Sequence, residues 1–134
     1  MRTEISVKKV RGQFVQQVEE ISGQDLLACN QCGKCSAGCP IVGTMDILPS
    51  QILRMTQLGM EDALDSNTIW ICASCLTCVA RCPKGVDLPR LMEALRQIAL
   101  RQGITRLDLK ELPPALLREL PQLAIIGGCR KYMR

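Results

Sequence analysis

CNQCGKCSAGCP at residues 29–40 returns 43 positions later as CASCLTCVARCP at residues 72–83. Both stretches have the pattern C-x2-C-x2-C-x3-C-P, and together they contain eight of the nine cysteines. In two-cluster ferredoxins, the first three cysteines of such a run bind one [4Fe–4S] cluster and the fourth binds the other cluster. The doubled motif therefore predicts two [4Fe–4S] clusters.

Exchange of the fourth cysteine divides the eight thiols into two ligand sets. One predicted cluster takes Cys29, Cys32, Cys35 and Cys82, and the other takes Cys72, Cys75, Cys78 and Cys39. This cross-ligation would lock the two halves of the repeat together. The chain has only three aromatic residues, so the clusters would substitute for an aromatic core, and we expect the apoprotein to be poorly folded.

Zinc and disulfides are the two alternatives to iron–sulfur ligation. Structural zinc favours paired knuckles with two to four residues between cysteines, whereas this run of four with a trailing proline occurs twice. An odd cysteine count and a reducing compartment argue against a disulfide framework. The ninth cysteine, Cys129, has no neighbour at ligand spacing and is interpreted as a spare thiol.

Composition removes several other classes of function. The 134 residues contain no histidine, which excludes Ser-His-Asp and Cys-His catalysis, His-ligated zinc, Rieske centres and His-ligated haem.

Residues 96–134 carry 8 basic and 3 acidic side chains. This basic excess is dispersed and lacks aromatic neighbours, so it favours an acidic protein partner over nucleic acid. We find no membrane span and no secretory signal, and we expect a cytoplasmic protein.

Apolar spacing predicts an all-α protein. An amphipathic helix runs from Val10 to Ile21 and ends at Gly23, and a capping box at Ser22–Asp25 begins a second, short helix. Pro49 begins another helix, and the longest runs over residues 88–102 behind an Asp87 cap. We therefore expect a cluster-binding domain at 1–103. A Pro- and Gly-interrupted extension at 104–134 follows, with one helix near 114–120 and the remainder irregular, for docking a partner.

Several other residues have a structural interpretation. Trp70 is predicted to be a packing anchor, because large aromatic side chains are most often buried. Lys34, Arg81 and Lys84 adjoin the cysteine motifs, where they could raise the potential of a cluster or bind an acidic partner, and we interpret them as solvated surface charges. The chain has no G-x-G-x-x-G nucleotide motif and no adjacent Cys-Cys pair, so we predict no catalytic residues and a one-electron relay that serves other subunits.

The wider sequence resembles the C-type subunits of heterodisulfide reductase. The resemblance covers roughly residues 10–103 and includes the cysteine motifs, MDILPSQILRMTQLG at 45–59 and LMEALRQIA at 91–99. It implies the α-helical ferredoxin fold with two cross-ligated [4Fe–4S] clusters. It also implies electron transfer between a flavin- and cluster-bearing A-type subunit and a cysteine-rich, disulfide-reducing B-type subunit.

Two other functions compete with this one. The chain could be the iron–sulfur subunit of a different oxidoreductase, such as a glycolate-oxidase-like or quinone-linked dehydrogenase. It could also be a non-redox interaction module with zinc in both four-cysteine sites.

Overall fold

The computed structural model describes residues 5–133; the outer ends of the two predicted units, residues 1–4 and 134, lie outside the described residues. Between those limits every regular element is helical. The α-helices are α1 (Val7–Val10), α2 (Gln13–Ser22), α3 (Lys34–Ala37), α4 (Pro49–Gln57), α5 (Thr68–Ile71), α6 (Thr77–Arg81), α7 (Leu88–Arg101), α8 (Pro114–Glu119) and α9 (Gln122–Tyr132). Short 3-10 helices span Leu26–Ala28, Val42–Thr44 and Glu61–Asp65.

Helix α7 is the longest element and the centre of the core. Its predicted cap is present, since the Asp87 carboxylate accepts a hydrogen bond from the backbone N–H of Arg90 at 3.1 Å. The apolar stripe of this helix, which includes Leu91, Leu95 and Ile98, is buried against α2, α5 and neighbouring elements. Each such side chain contributes about 1.5–3 kcal/mol through burial, so α7 supplies much of the apolar stabilisation.

The N-terminal helix differs from its prediction in two respects. The chain breaks at Gly12, so that α1 and α2 are separate helices, and α2 then ends at Gly23 with φ +64° as expected. Ser22 is the last residue of α2 and not the cap of a new helix. The cap of the next turn is Asp25, whose carboxylate accepts from the N–H of Leu27 at 2.9 Å.

The segment between the cysteine motifs is tied to both of them. Helix α4 begins at Pro49 as predicted, and the backbone N–H of Ser50 donates to the hydroxyl of Ser36 in the first motif at 2.9 Å. Asp46 accepts from the N–H and the hydroxyl of Thr68 at 2.9 and 2.6 Å, just before the second motif. These bonds hold the two motifs in a defined position relative to α4.

The C-terminal segment is more ordered than its sequence suggests. Helix α8 matches the predicted position, but the expectation that the rest is irregular is wrong, because α9 runs through Gly127 and Gly128. A glycine costs a helix only about 1 kcal/mol. The Tyr132 side chain compensates for the cost of the two glycines, because it stacks on buried Trp70 and donates a hydrogen bond to the Trp70 carbonyl at 3.2 Å.

None of the helices in residues 5–133 has the length and apolarity that crossing a membrane would require. Trp70 is only 2% exposed, as expected of a packing anchor. The boundary predicted at residue 103 stays a prediction.

Candidate iron–sulfur centres

Two neighbouring cavities lie between the cysteine motifs. We call the one that Cys82 lines cavity I and the one that Cys39 lines cavity II. The cysteines that line cavity I are Cys29, Cys32, Cys35, Cys78 and Cys82. Those that line cavity II are Cys35, Cys39, Cys72, Cys75 and Cys78. The fourth cysteine of each motif thus lies at the cavity of the other motif.

Cys35 and Cys78 form the wall between the two cavities. They belong to α3 and α6, which pack against each other. Burial raises the pKa of the Cys35 thiol, and burial together with nearby Cys72 and Cys35 raises the pKa of Cys78 to about 11. Metal ligation requires the thiolate form, so a cluster bound here would offset this rise in pKa.

The backbone repeats along with the cysteines. Gln31 and Ser74 precede the second cysteine of their motifs with φ of +58° and +52°. Gly33 and Leu76 follow that cysteine with φ of +75° and +63°. Left-handed conformations on both sides of the second cysteine curve each loop around its cavity. A non-glycine residue in this conformation costs about 1–2 kcal/mol, so three such residues indicate a shape that the site requires.

The thiols are spread around the cavities and do not converge on a point. Within residues 5–133, no three Cys, Asp or Glu side chains approach closely enough to hold a single metal ion. All nine cysteines are free thiols in this structure. In a multi-iron cluster each iron takes one thiolate, whereas at a tetrahedral zinc site four sulfurs meet one ion.

Cavity I has several N–H donors directed at cysteine sulfur. The backbone N–H and the side-chain amide of Gln31 donate to Cys29 Sγ at 3.4 and 3.7 Å. The backbone N–H of Val86 donates to Cys82 Sγ at 3.3 Å. Hydrogen bonds of this kind stabilise negative charge on sulfur and are one determinant of cluster potential.

Cavity II has a different environment. Cys75 Sγ lies 3.5 Å from the hydroxyl oxygen of Thr77, and this hydrogen bond lowers the pKa of the exposed Cys75 thiol. The ammonium group of Lys131, in α9, donates to the carbonyl of Cys72 at 2.9 Å. The apolar part of the wall consists of Ile41, Met45, Pro49, Ala73, Leu88, Pro89 and Met92.

Gln57 was not anticipated from the sequence, although it is linked to cavity I. This side chain is only 3% exposed, and its oxygen accepts a hydrogen bond from the Gln31 amide at 3.2 Å. Its amide donates to the carbonyl of Leu26 at 2.6 Å. The sequence feature that could have indicated its burial is its position in α4, on the face that also buries Leu53.

The predicted surface charges and the spare thiol lie where the sequence suggested. In addition, two of these charges border a cavity. Lys34 and Lys84 are exposed and also border cavity I. Arg81 is exposed and packs over Gly38. Cys129 is half-buried in α9 and lines neither cavity.

Comparison with known proteins agrees with this geometry. Residues 25–86 match the 4Fe-4S dicluster domain family. The chain is therefore an α-helical, ferredoxin-like protein that carries two [4Fe–4S] clusters.

Curated relatives narrow the identification. The chain is 34% identical over 122 residues to the second C-type iron-sulfur subunit of the CoB–CoM heterodisulfide reductase of Methanocaldococcus jannaschii, which covers 85% of this chain and 66% of that protein. It is 36% identical over 86 residues to the C-type iron-sulfur subunit of the same enzyme from Methanopyrus kandleri, with 63% and 45% covered. It is 32% identical over 89 residues to the C-type subunit of the ferredoxin:CoB-CoM heterodisulfide reductase of Methanosarcina mazei, with 66% and 55% covered. The chain is thus similar to C-type iron-sulfur subunits of heterodisulfide reductases.

The chain spans less than two thirds of the length of these three relatives, with 66%, 45% and 55% of them covered.

Proposed function

We propose that the chain is the electron-transfer subunit of a heterodisulfide-reductase-type complex, in which it relays single electrons between a flavin-containing A-type subunit and a disulfide-reducing B-type subunit. The observation that carries this proposal is the pair of adjacent cavities, each bordered by thiols of both motifs. When bound, each cluster takes up and releases one electron. We place the complex in the cytoplasm, because nine free thiols suit a reducing compartment.

The ligand assignment is part of the proposal. Cavity I is assigned the predicted set of Cys29, Cys32, Cys35 and Cys82, and cavity II the set of Cys39, Cys72, Cys75 and Cys78. The exclusive location of Cys82 at cavity I and of Cys39 at cavity II supports the cross-ligation. Since Cys35 and Cys78 separate the cavities, the two clusters would be close enough for rapid electron exchange.

The chain's own residues have a supporting role in this relay. The left-handed loops would hold the clusters, and α4 and α7 exclude water from the inner walls, where Leu53 and Leu88 are buried. The exposed cysteines Cys32 and Cys75 lie on the outer sides of the cavities. These outer edges are where partner subunits would exchange electrons with the chain.

Metal analysis tests the cofactor assignment directly. Anaerobically purified full-length protein should contain about eight irons and eight acid-labile sulfides per chain. A Cys129→Ala variant should contain the same amounts, because Cys129 lies outside both cavities. About two zincs without sulfide would contradict the relay and favour the scaffold alternative.

Affinity purification from the native host tests the complex. A tagged chain should retain a flavoprotein and a cysteine-rich subunit through size-exclusion chromatography. Recovery of the fully loaded chain alone, or together with a membrane cytochrome or an α-hydroxyacid flavoprotein, would count against the heterodisulfide-reductase type.

A further inference from the structure

The two motifs are related by the 43-residue repeat, yet their hydrogen bonds to sulfur differ: cavity II has the contact between Cys75 Sγ and the Thr77 hydroxyl, whereas cavity I has three N–H donors. In cavity I, Cys29 accepts two N–H bonds from Gln31 and Cys82 accepts one from Val86. The repeat-related positions are Ser74 and Gly43, and within residues 5–133 neither donates to a cysteine sulfur. The asymmetry therefore arises at equivalent positions, where Gln31 has a long amide side chain and Ser74 does not.

The side-chain amide of Gln31 is oriented by Gln57. The Gln57 amide nitrogen faces the carbonyl oxygens of Leu26 and Cys29 at 2.6 and 3.5 Å, which only a donor can do. Its oxygen must then face the other way, where it accepts from Arg54 at 3.3 Å and from Gln31 at 3.2 Å. An acceptor at that place requires the Gln31 amide to present its nitrogen, and the same nitrogen reaches Cys29 Sγ.

The polarity of the cavity walls acts in the same direction as these bonds. Lys34 and Lys84 border cavity I, whereas apolar side chains make up most of the non-cysteine wall of cavity II. Lys131 and Arg81 add positive charge near cavity II, but Lys131 is bonded to the carbonyl of Cys72, Arg81 packs over Gly38, and within residues 5–133 neither donates to a sulfur. Reduction adds negative charge to a cluster, so N–H donors and cations favour the reduced form and an apolar wall opposes it.

We propose that the cluster in cavity I is the more easily reduced of the two, and that Gln31, oriented by Gln57, is the positioning residue that raises its potential. This inference rests on the ligand assignment of the proposed function. With both clusters bound, a single electron would reside at cavity I: it would be given up by the cluster in cavity II and taken up by the cluster in cavity I. No other reactant takes part in this exchange.

Redox titration of the loaded full-length chain, followed by visible absorbance and electron paramagnetic resonance, tests the proposal. Gln31→Met preserves the side-chain length but removes the side-chain amide that donates to Cys29 Sγ. The higher of the two midpoint potentials should shift downward, the lower should stay unchanged, and the gap between them should narrow. Ser74→Met, at the repeat-related position with a similar left-handed backbone, is the matched control and should leave the higher midpoint unchanged.

Two further variants complete the test. Gln57→Leu changes no donor to Cys29 Sγ. It should lower the same midpoint potential as Gln31→Met, because the Gln31 amide loses the acceptor that orients it. Cys32→Ala identifies the potentials, since it should abolish the higher-potential signal. A shift of the lower midpoint in Gln31→Met, no shift at all, or loss of the lower-potential signal in Cys32→Ala would overturn the inference. Wild-type protein without about eight irons would instead contradict the proposed function.

Discussion

The ring of Tyr132 stacks on the ring of Trp70, with centroids 6.0 Å apart and an interplanar angle of 29°. This contact joins the last helix of the chain to the residue two positions before Cys72. The neighbouring Lys131 bonds to the Cys72 carbonyl, so the C-terminal segment supports the loop at cavity II.

Tyr132→Ala should lower the free energy of unfolding by about 2 kcal/mol, because it removes the aromatic stack and the hydrogen bond to Trp70. The measurement is anaerobic urea unfolding of the loaded protein. Leu123→Ala is the matched control on the same helix, since Leu123 is 83% exposed, and it should change stability little. Equal effects of the two variants would mean that α9 is not anchored by Tyr132.

Cross-ligation predicts which cysteine variants resemble each other. Cys39→Ala should alter the same paramagnetic signal as Cys75→Ala, and Cys82→Ala should alter the same signal as Cys32→Ala. The reason is that each fourth cysteine lies at the cavity of the other motif. Electron paramagnetic resonance of the reduced proteins makes the comparison. If Cys39→Ala instead matched Cys32→Ala, each motif would hold its own cluster.

Gly59→Ala should destabilise the protein by more than Gly23→Ala. Both glycines have left-handed backbone, with φ of +70° and +64°. A Cβ at Gly59 would overlap the carbonyl oxygen of Lys9, whereas one at Gly23 has no neighbour within 4 Å. Gly23→Ala should cost about 1 kcal/mol from backbone strain alone. Urea unfolding measures the loss of free energy of unfolding in each variant, and the difference between the two losses is the cost of displacing α1 from α4. Equal losses would show that α1 is not held against α4.

Asp46 provides a pH-dependent prediction. Burial alone would raise the pKa of this carboxyl, but hydrogen bonds from Thr68 and Asn67 outweigh burial and lower the pKa below its ordinary value of 3.8. A lowered folded-state pKa stabilises the protein above the unfolded-state pKa, and this contribution is lost only as pH falls through the lowered value.

Asp46→Ala should therefore cost about 1 kcal/mol, and this loss should be constant between pH 8 and pH 5. Unfolding of the wild type and the variant at pH 8, 6.5 and 5 measures it. A loss that shrinks already between pH 8 and pH 5 would show that the carboxyl titrates in that range and that the hydrogen bonds do not lower its pKa.

The sequence by itself determined the features that depend on local spacing. The doubled motif predicted two clusters, and the apolar stripe with its Asp87 cap predicted α7 within one residue at its C-terminal end. Such features follow from the chemistry of neighbouring residues, because a thiolate run or a helical face is complete within about fifteen positions of the chain.

Only the tertiary structure decided the contacts between distant segments. Helix α9 forms because Tyr132 meets Trp70 across 62 positions, and no local pattern around Gly127 indicates that partner. In the same way, Gln57 reaches Gln31 across 26 positions and distinguishes one cavity from its repeat-related counterpart. Repeated sequence motifs predict equal sites, whereas the polarity around each sulfur depends on which non-repeated side chains the fold packs against it.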